Sequence, residues 1–87
     1  MSGETALRAK ARVAINKETI PTRPPDRVWG GPGIGGECVI CNLPVSAREM
    51  ELEMQFARED GVPQLVAYRV HLACFAAWEF ERSQAPH

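Results

Sequence analysis

Hydrophobic and polar residues alternate in the middle of the chain, and this alternation predicts the first regular element. The segment Glu-Leu-Glu-Met-Gln-Phe at 51–56 has the two-residue period of a strand with one buried face. Residues 47–59 are also good helix formers, so a helix is the alternative on propensity alone. We predict a strand because the β-prone run at 65–70 needs a partner and turn residues lie between the two, at 60–63. The inward-facing side chains of this hairpin are predicted to be Leu52, Met54 and Phe56.

The last part of the chain has the period of a helix instead. Apolar side chains and metal-binding residue types recur at helical spacing from His71 to about Arg82, which places them on one face. The residues on this face are His71, Cys74, Phe75 and Trp78, followed by the charged residue Arg82. Large aromatic residues on such a helix more often belong to a core than to a recognition surface, but their exposed edges are candidates for contact with a partner. The two candidates here are Trp78 and Phe80.

The first 36 residues show no such pattern, and we predict a flexible basic arm and linker there, followed by a folded domain at 37–87. Residues 1–20 favour a helix, but the apolar stripe is thin and a lone helix of this length is marginal in water. We therefore expect a fraying helix or disorder. Prolines then end any helix, and the glycine-rich run at 30–36 predicts a flexible linker. Trp29 lies in this region, and we interpret it as an anchor that docks on the domain, with simple exposure as the alternative.

Two short motifs supply the candidate chemistry: Cys-Val-Ile-Cys begins at position 38 and His-Leu-Ala-Cys at position 71. They contain all three cysteines and one of the two histidines, the other being His87. Three thiolates and one imidazole are a common ligand set for a closed, tetrahedral zinc site, and a two-residue gap lets each pair aim at one point. A short strand is predicted to lead into the first pair, at Glu37–Cys41. We predict one structural Zn²⁺ with four ligands: Cys38, Cys41, His71 and Cys74.

Other chemistries of these residues fit the sequence less well. A disulfide framework favours an even number of cysteines and an export signal, whereas this chain has three cysteines and no signal-peptide features at its N-terminus. A redox Cys-x-x-Cys usually opens a long helix, and Asn42-Leu43-Pro44 predicts a turn instead. An iron–sulfur cluster with mixed ligands is rarer. A thiol redox switch stays as a distant alternative, and we predict no enzyme because four protein ligands leave a zinc ion no open position.

The length and the charge of the chain limit the classes of function and of partner that we expect. A folded unit of about fifty residues buries only a small core and usually needs an additional cross-link to be stable, which a bound zinc ion would provide. The net charge of −1 is uneven, because residues 1–36 carry six basic and three acidic side chains and residues 37–87 carry four and eight. An acidic domain is a poor electrostatic match for nucleic acid, so a protein is the predicted partner and nucleic-acid binding is expected to be weak. No apolar run is long enough for a membrane span, and free thiols without an export signal predict a reducing cytoplasm.

The order of zinc turn, hairpin and ligand-bearing helix resembles a treble clef, and the ligand spacing resembles the PARP-type zinc finger over residues 37–82. The resemblance implies a small α+β zinc finger. It also implies binding of DNA breaks through a basic residue on the first hairpin strand and an aromatic residue beside the turn. Those positions fall near Glu51 and Glu59, where a carboxylate repels phosphate. We therefore expect a non-enzymatic zinc-binding module for protein interaction or regulation, with a DNA-strand-break finger as the alternative.

Overall fold

The computed structural model describes residues 3–84, which form a small α+β fold with two helices and a three-stranded antiparallel sheet. The helices are α1 (Gly3–Asn16) and α2 (Leu72–Gln84). The strands are β1 (Arg27–Pro32), β2 (Met50–Ala57) and β3 (Leu65–His71), with β2 in the middle of the sheet. The first two residues of the predicted arm and the last three of the predicted domain, including His87, lie outside the described residues.

The predicted hairpin is confirmed. β2 and β3 pair antiparallel, with Met54 opposite Tyr68 and Leu52 opposite Val70. Met54 and Phe56 are buried in the core, and Leu52 packs against it half-buried. A strand forms here rather than a helix because a two-residue period gathers the three apolar side chains on one face, whereas a helix would spread them around its surface.

α2 crosses the apolar face of the sheet, and Trp78 lies at the centre of this contact. Its ring meets the ring of Phe56 edge-on, with 6.3 Å between centroids, and Phe75 packs beside it at 5.7 Å. The indole N–H of Trp78 donates to the carbonyl of Pro21 at 2.9 Å, and the residue is 0% exposed. The prediction that Trp78 offers an edge to a partner is therefore wrong, because the segment after α1 covers that edge.

The N-terminal part of the chain differs most from the prediction, since residues 3–36 are not a separate arm. α1 packs against α2, and Ala11 and Ala14 are buried in the core. Arg12 Nε lies 2.8 Å from Oε1 of Glu81, a buried carboxylate on α2. The thin stripe of small side chains lets the two helices approach closely, and α2 supplies the apolar surface that an isolated helix lacks.

The glycine-rich run also differs from the predicted linker. Its first part belongs to β1, which pairs antiparallel with β2. The pairing continues at Gly33, whose N–H donates to the carbonyl of Glu49 at 3.0 Å. A Cβ atom on Gly33 would lie 2.2 Å from the carbonyl oxygen of Ser46, so the backbone passes here at a distance that only glycine permits. The short strand predicted at Glu37–Cys41 is reduced to one bridge, between Glu37 and Pro44.

The end of α1 holds one residue in a conformation that its side chain disfavours. Glu18 has a φ of 59°, and its N–H bonds the carbonyl of Ile15 while that of Thr19 bonds Ala14, which is the Schellman arrangement. Glu18→Gly is expected to raise the free energy of unfolding by about 1 kcal/mol, or about 5 °C in Tm, because glycine adopts this φ without strain. Thermal denaturation measures the change. Lys17→Gly, at a position without a positive φ, is expected to lower Tm, and equal effects at the two positions would contradict the strain argument.

Candidate metal centre

The turn at 38–41 carries the first two candidate ligands. The N–H of Cys38 donates to the carbonyl of Leu43, and the N–H of Asn42 donates to the carbonyl of Cys38, both at 2.9 Å. Asn42 adopts the left-handed conformation, with a φ of 64°, which asparagine tolerates better than most residues. The N–H of Ile40 lies 3.4 Å from the sulfur of Cys38. The turn therefore directs a backbone donor at this sulfur, which favours its thiolate form.

The other two candidate ligands lie where β3 meets α2. His71 is the last residue of β3, and Cys74 lies in the first turn of α2. The sequence predicted both on one helix, but the helix begins at Leu72 and His71 reaches the cluster from the end of a strand. The position of Cys74 in the helix favours metal binding, because the N-terminal end of a helix carries a partial positive charge that stabilises a thiolate.

The four predicted ligands converge on one point. The sulfurs of Cys38, Cys41 and Cys74 and one ring nitrogen of His71 all lie within 4.8 Å of one another. Nδ1 of His71 is 3.4 Å from the sulfur of Cys41 and 3.7 Å from that of Cys74. Ligands held about 2.0–2.3 Å from a tetrahedral zinc ion lie about 3.3–3.8 Å from one another. The cluster is therefore compatible with one zinc ion.

Contacts on the side of the His71 ring that faces away from the sulfurs decide which ring nitrogen carries the proton. Nε2 lies 3.1 Å from the carbonyl oxygen of Pro44 and 3.5 Å from Oε2 of Glu49. A carbonyl oxygen can only accept a hydrogen bond, so Nε2 carries the proton and the lone pair of Nδ1 points at the cluster. Contacts of this kind orient a histidine ligand and strengthen it as a donor. Sequence analysis does not identify Pro44 and Glu49 as part of the site, because these residues come next to the imidazole ring only when the chain is folded.

Close packing of the thiols changes their acidity. The hydrogen bond from Cys74, helped by backbone N–H groups and opposed by burial, lowers the pKa of Cys38 to about 4. The same hydrogen bond, with burial and the charge of Cys38, raises the pKa of Cys74. Burial by itself would lower the pKa of His71. The hydrogen bond between His71 and Cys38 and the negative charge of the Cys38 thiolate have the larger combined effect, so the pKa of His71 is raised. A metal that binds here must displace the proton of Cys74, so metal affinity falls as the pH falls.

Two other candidates from the sequence remain at the surface, away from the cluster. Trp29 is 57% exposed on β1, and its indole N–H donates to Oε1 of Gln55 at 3.2 Å. β1 belongs to the fold, but the indole itself lies on the outside of the sheet rather than in the core. Phe80 is 43% exposed on α2, and the guanidinium of Arg8 lies 3.9 Å from the centre of its ring. Both side chains are thus accessible from solvent.

The two positions that the resemblance assigns to DNA contact are held in ion pairs. Glu51 is buried, and its Oε2 lies 3.6 Å from Nε of Arg69. Glu59 is exposed, and its Oε1 lies 2.8 Å from Nη1 of Arg23. Each position thus carries a carboxylate that is paired with an arginine and that offers no cation to phosphate.

Comparison with protein-family models, with curated proteins and with solved structures found no significant match. Among residues 3–84, none of the helices has the length and apolar character needed to cross a membrane. The ligand cluster and the fold around it are the observations from which a function is inferred.

Proposed function

We propose that this chain is a non-enzymatic module in which one structural Zn²⁺ stabilises a small domain that acts through contact with another protein. The observation that carries the proposal is the convergence of Cys38, Cys41, His71 and Cys74, with their ligand atoms within 4.8 Å of one another. Thiolate and imidazole suit zinc, whereas calcium and magnesium require oxygen ligands. A structural site closes the tetrahedron with four protein ligands, and a catalytic site keeps one position for water. Four protein ligands are available here, which favours the structural role.

The order of elements supports a treble-clef zinc finger of the PARP type. A turn brings two ligands, an antiparallel hairpin follows, and the junction of β3 with α2 brings the other two. In this proposal α1 and β1 are additions that this chain packs around the finger. They enlarge a core that would otherwise be too small to be secure without further support.

A protein partner is supported by the character of the surface. Large apolar side chains are exposed within the described residues, among them Ile34 at 70% and Trp29 at 57%. Exposed apolar and aromatic side chains suit a protein contact, in which tryptophan is enriched. The acidic residues 37–87 are less suited to a polyanion.

Purified protein should carry close to one zinc ion per chain, because all four ligands of a tetrahedral site are already in place. Native mass spectrometry on protein expressed without added metal, before and after a strong chelator, measures the stoichiometry. A chain without metal would contradict the proposal. If the same metal-free chain forms a reversible disulfide between two of its cysteines, the thiol redox alternative is supported instead.

DNA-end binding is the second candidate, favoured by the spacing of the ligands and opposed by the ion pairs of Glu51 and Glu59. Fluorescence anisotropy with a nicked and an intact duplex separates the two candidates. We expect weak binding, with a Kd of about 10⁻⁴ M or higher at physiological salt and no preference for the nick. Micromolar binding that prefers the nick would support the DNA-break finger.

A further inference from the structure

β1 is an edge strand, and within residues 3–84 no backbone hydrogen bond reaches its outer side. Gly33 donates its N–H inward, to Glu49 on the β2 side. Because hydrogen bonds alternate along an antiparallel pair, the backbone groups of Val28 and Gly30 point outward. Pro32, at the end of the strand, has no N–H to offer. The open edge thus presents two N–H groups, at Val28 and Gly30, and it is bounded by Pro32.

We propose that β1 is a self-association surface, on which β1 of a second copy pairs antiparallel about a two-fold axis at Trp29. This inference rests on the proposed protein-contact function and names its partner. In this register, Val28 of each copy lies opposite Gly30 of the other, and both exchange backbone hydrogen bonds. The outward N–H groups of Val28 and Gly30 all donate hydrogen bonds in this pairing, and no hydrogen bond requires an N–H from Pro32. The two sheets join into one sheet of six strands.

The exposed face of the sheet is complementary to itself in this register. Trp29 of one copy lies directly opposite Trp29 of the other, and such directly opposed aromatic side chains stabilise antiparallel strands. Arg27 lies opposite Gly31, so no like charges meet, and its diagonal neighbour is Trp29 of the second copy. Within the described part of the chain, Arg27 has no ion pair or side-chain hydrogen bond of its own. Its guanidinium is therefore available for a cation–π contact across the axis.

The opposite face of the same edge is apolar. Leu52 and Met50 lean over Gly30, since a Cβ atom there would lie 3.3 Å from Leu52 Cδ2 and 3.5 Å from Met50 Sδ. Val28 is 43% exposed and Met50 is 49% exposed. Val28 of the second copy, placed opposite Gly30, would contact these two side chains. One pairing thus covers exposed apolar surface on both faces of the strand.

The composition of β1 favours a second copy over an unrelated peptide. Edge strands are usually protected by central charges, prolines or a covering element, and the middle of β1, Val-Trp-Gly-Gly, has none of them. The chain itself supplies the matching order of outward groups and the matching side chains, as a two-fold contact requires. The pairing of two short strands covers less than the roughly 1,200–2,000 Å² of a stable interface, so the dimer is expected to be weak and concentration-dependent.

Cysteine cross-linking tests the register on full-length, zinc-loaded protein. In Trp29→Cys, the two new cysteines lie about 4.5 Å apart between Cα atoms, which is within the range of a disulfide. In the matched control Arg27→Cys, on the same strand and the same face, the two cysteines lie about 14 Å apart. We expect Trp29→Cys to form a disulfide dimer at least about tenfold faster than Arg27→Cys in a glutathione redox buffer, at a concentration where the wild type dimerises. Peptide mapping by mass spectrometry confirms that the bond joins the two introduced cysteines.

A mixture of Arg27→Cys with Gly31→Cys is expected to form a mixed dimer that neither variant forms alone, because these positions lie opposite each other in the proposed register. Sedimentation velocity on the wild type and on Val28→Lys, up to about 1 mM, gives an independent measure, and the lysine is expected to abolish association. Equal cross-linking rates for Trp29→Cys and Arg27→Cys, or a wild type that stays monomeric, would overturn the inference. Zinc content measured on the same samples is unaffected by this outcome, so failure of the pairing and failure of the zinc proposal are distinguishable.

Discussion

Cys74→Ser is expected to unfold most of the chain. The sulfur of Cys74 belongs to the ligand cluster and the residue is buried in the core, and a serine hydroxyl does not replace a thiolate as a zinc ligand. Structural zinc sites contribute about 10–16 kcal/mol of apparent binding free energy, whereas native domains are stable by only about 5–15 kcal/mol. Two-dimensional ¹H–¹⁵N spectra should lose their amide dispersion, and a strong chelator should do the same to the wild type.

Ala73→Ser is the matched control, because it introduces the same side chain one residue away, at an exposed position of α2. This variant should keep both its zinc and its dispersed spectrum. A chelated wild type with a native spectrum would show that the core is stable without metal. Zinc would then be a bound ion without a role in folding.

Gly33→Ala is expected to produce the second largest loss of stability. The new Cβ atom would lie 2.2 Å from the carbonyl oxygen of Ser46 and 2.4 Å from that of Val45, and backbone atoms cannot rotate away as a flexible side chain would. The cost is expected to be about 3 kcal/mol, or about 15 °C in Tm. Urea denaturation of zinc-loaded protein measures the change. Because the contact joins the end of β1 to the segment between the zinc turn and β2, zinc affinity should fall with it.

Gly36→Ala, three residues further along, is the control for this substitution. A Cβ atom on Gly36 has no neighbour within 4 Å, and Gly36 is not among the described residues with a positive φ. Its Tm is expected to change little or to rise slightly, because alanine reduces the freedom of the unfolded chain. If Gly33→Ala were as well tolerated as Gly36→Ala, the close passage of the backbone at Gly33 would be contradicted.

The parts of the fold that could be predicted from sequence are those that local patterns specify. The alternation at 51–56 predicts a strand because its period depends only on neighbouring residues, and β2 spans Met50–Ala57. The helical spacing of residues 71–82 likewise predicts α2, which begins one residue later, at Leu72. The ligand cluster was predictable for a similar reason, since two short motifs contain every cysteine of the chain.

The parts that could not be predicted depend on contacts between distant segments. The helix propensity and thin apolar stripe of α1 make it marginal by itself, and only the surface of α2 makes Ala11 and Ala14 core residues. β1 contains two glycines, which disfavour a strand, and it forms because β2 offers a free edge for pairing. The burial of Trp78 likewise depends on a distant residue, because nothing in the neighbouring sequence indicates that Pro21 covers its indole N–H.

The contacts that close the core join α1 and the segment after it to α2, which is far along the sequence, and this has a consequence for synthesis. The hydrogen bond from Trp78 spans 57 residues, and the ion pair of Arg12 with Glu81 spans 69. α1 therefore leaves the ribosome long before the helix against which it packs has been made. The second half of the metal site is also translated late, so neither zinc nor α1 can stabilise a nascent chain that stops before α2. We expect residues 3–84 to fold in a single step only once α2 has left the ribosome, and we expect deletion of α2 to leave the rest of these residues unfolded.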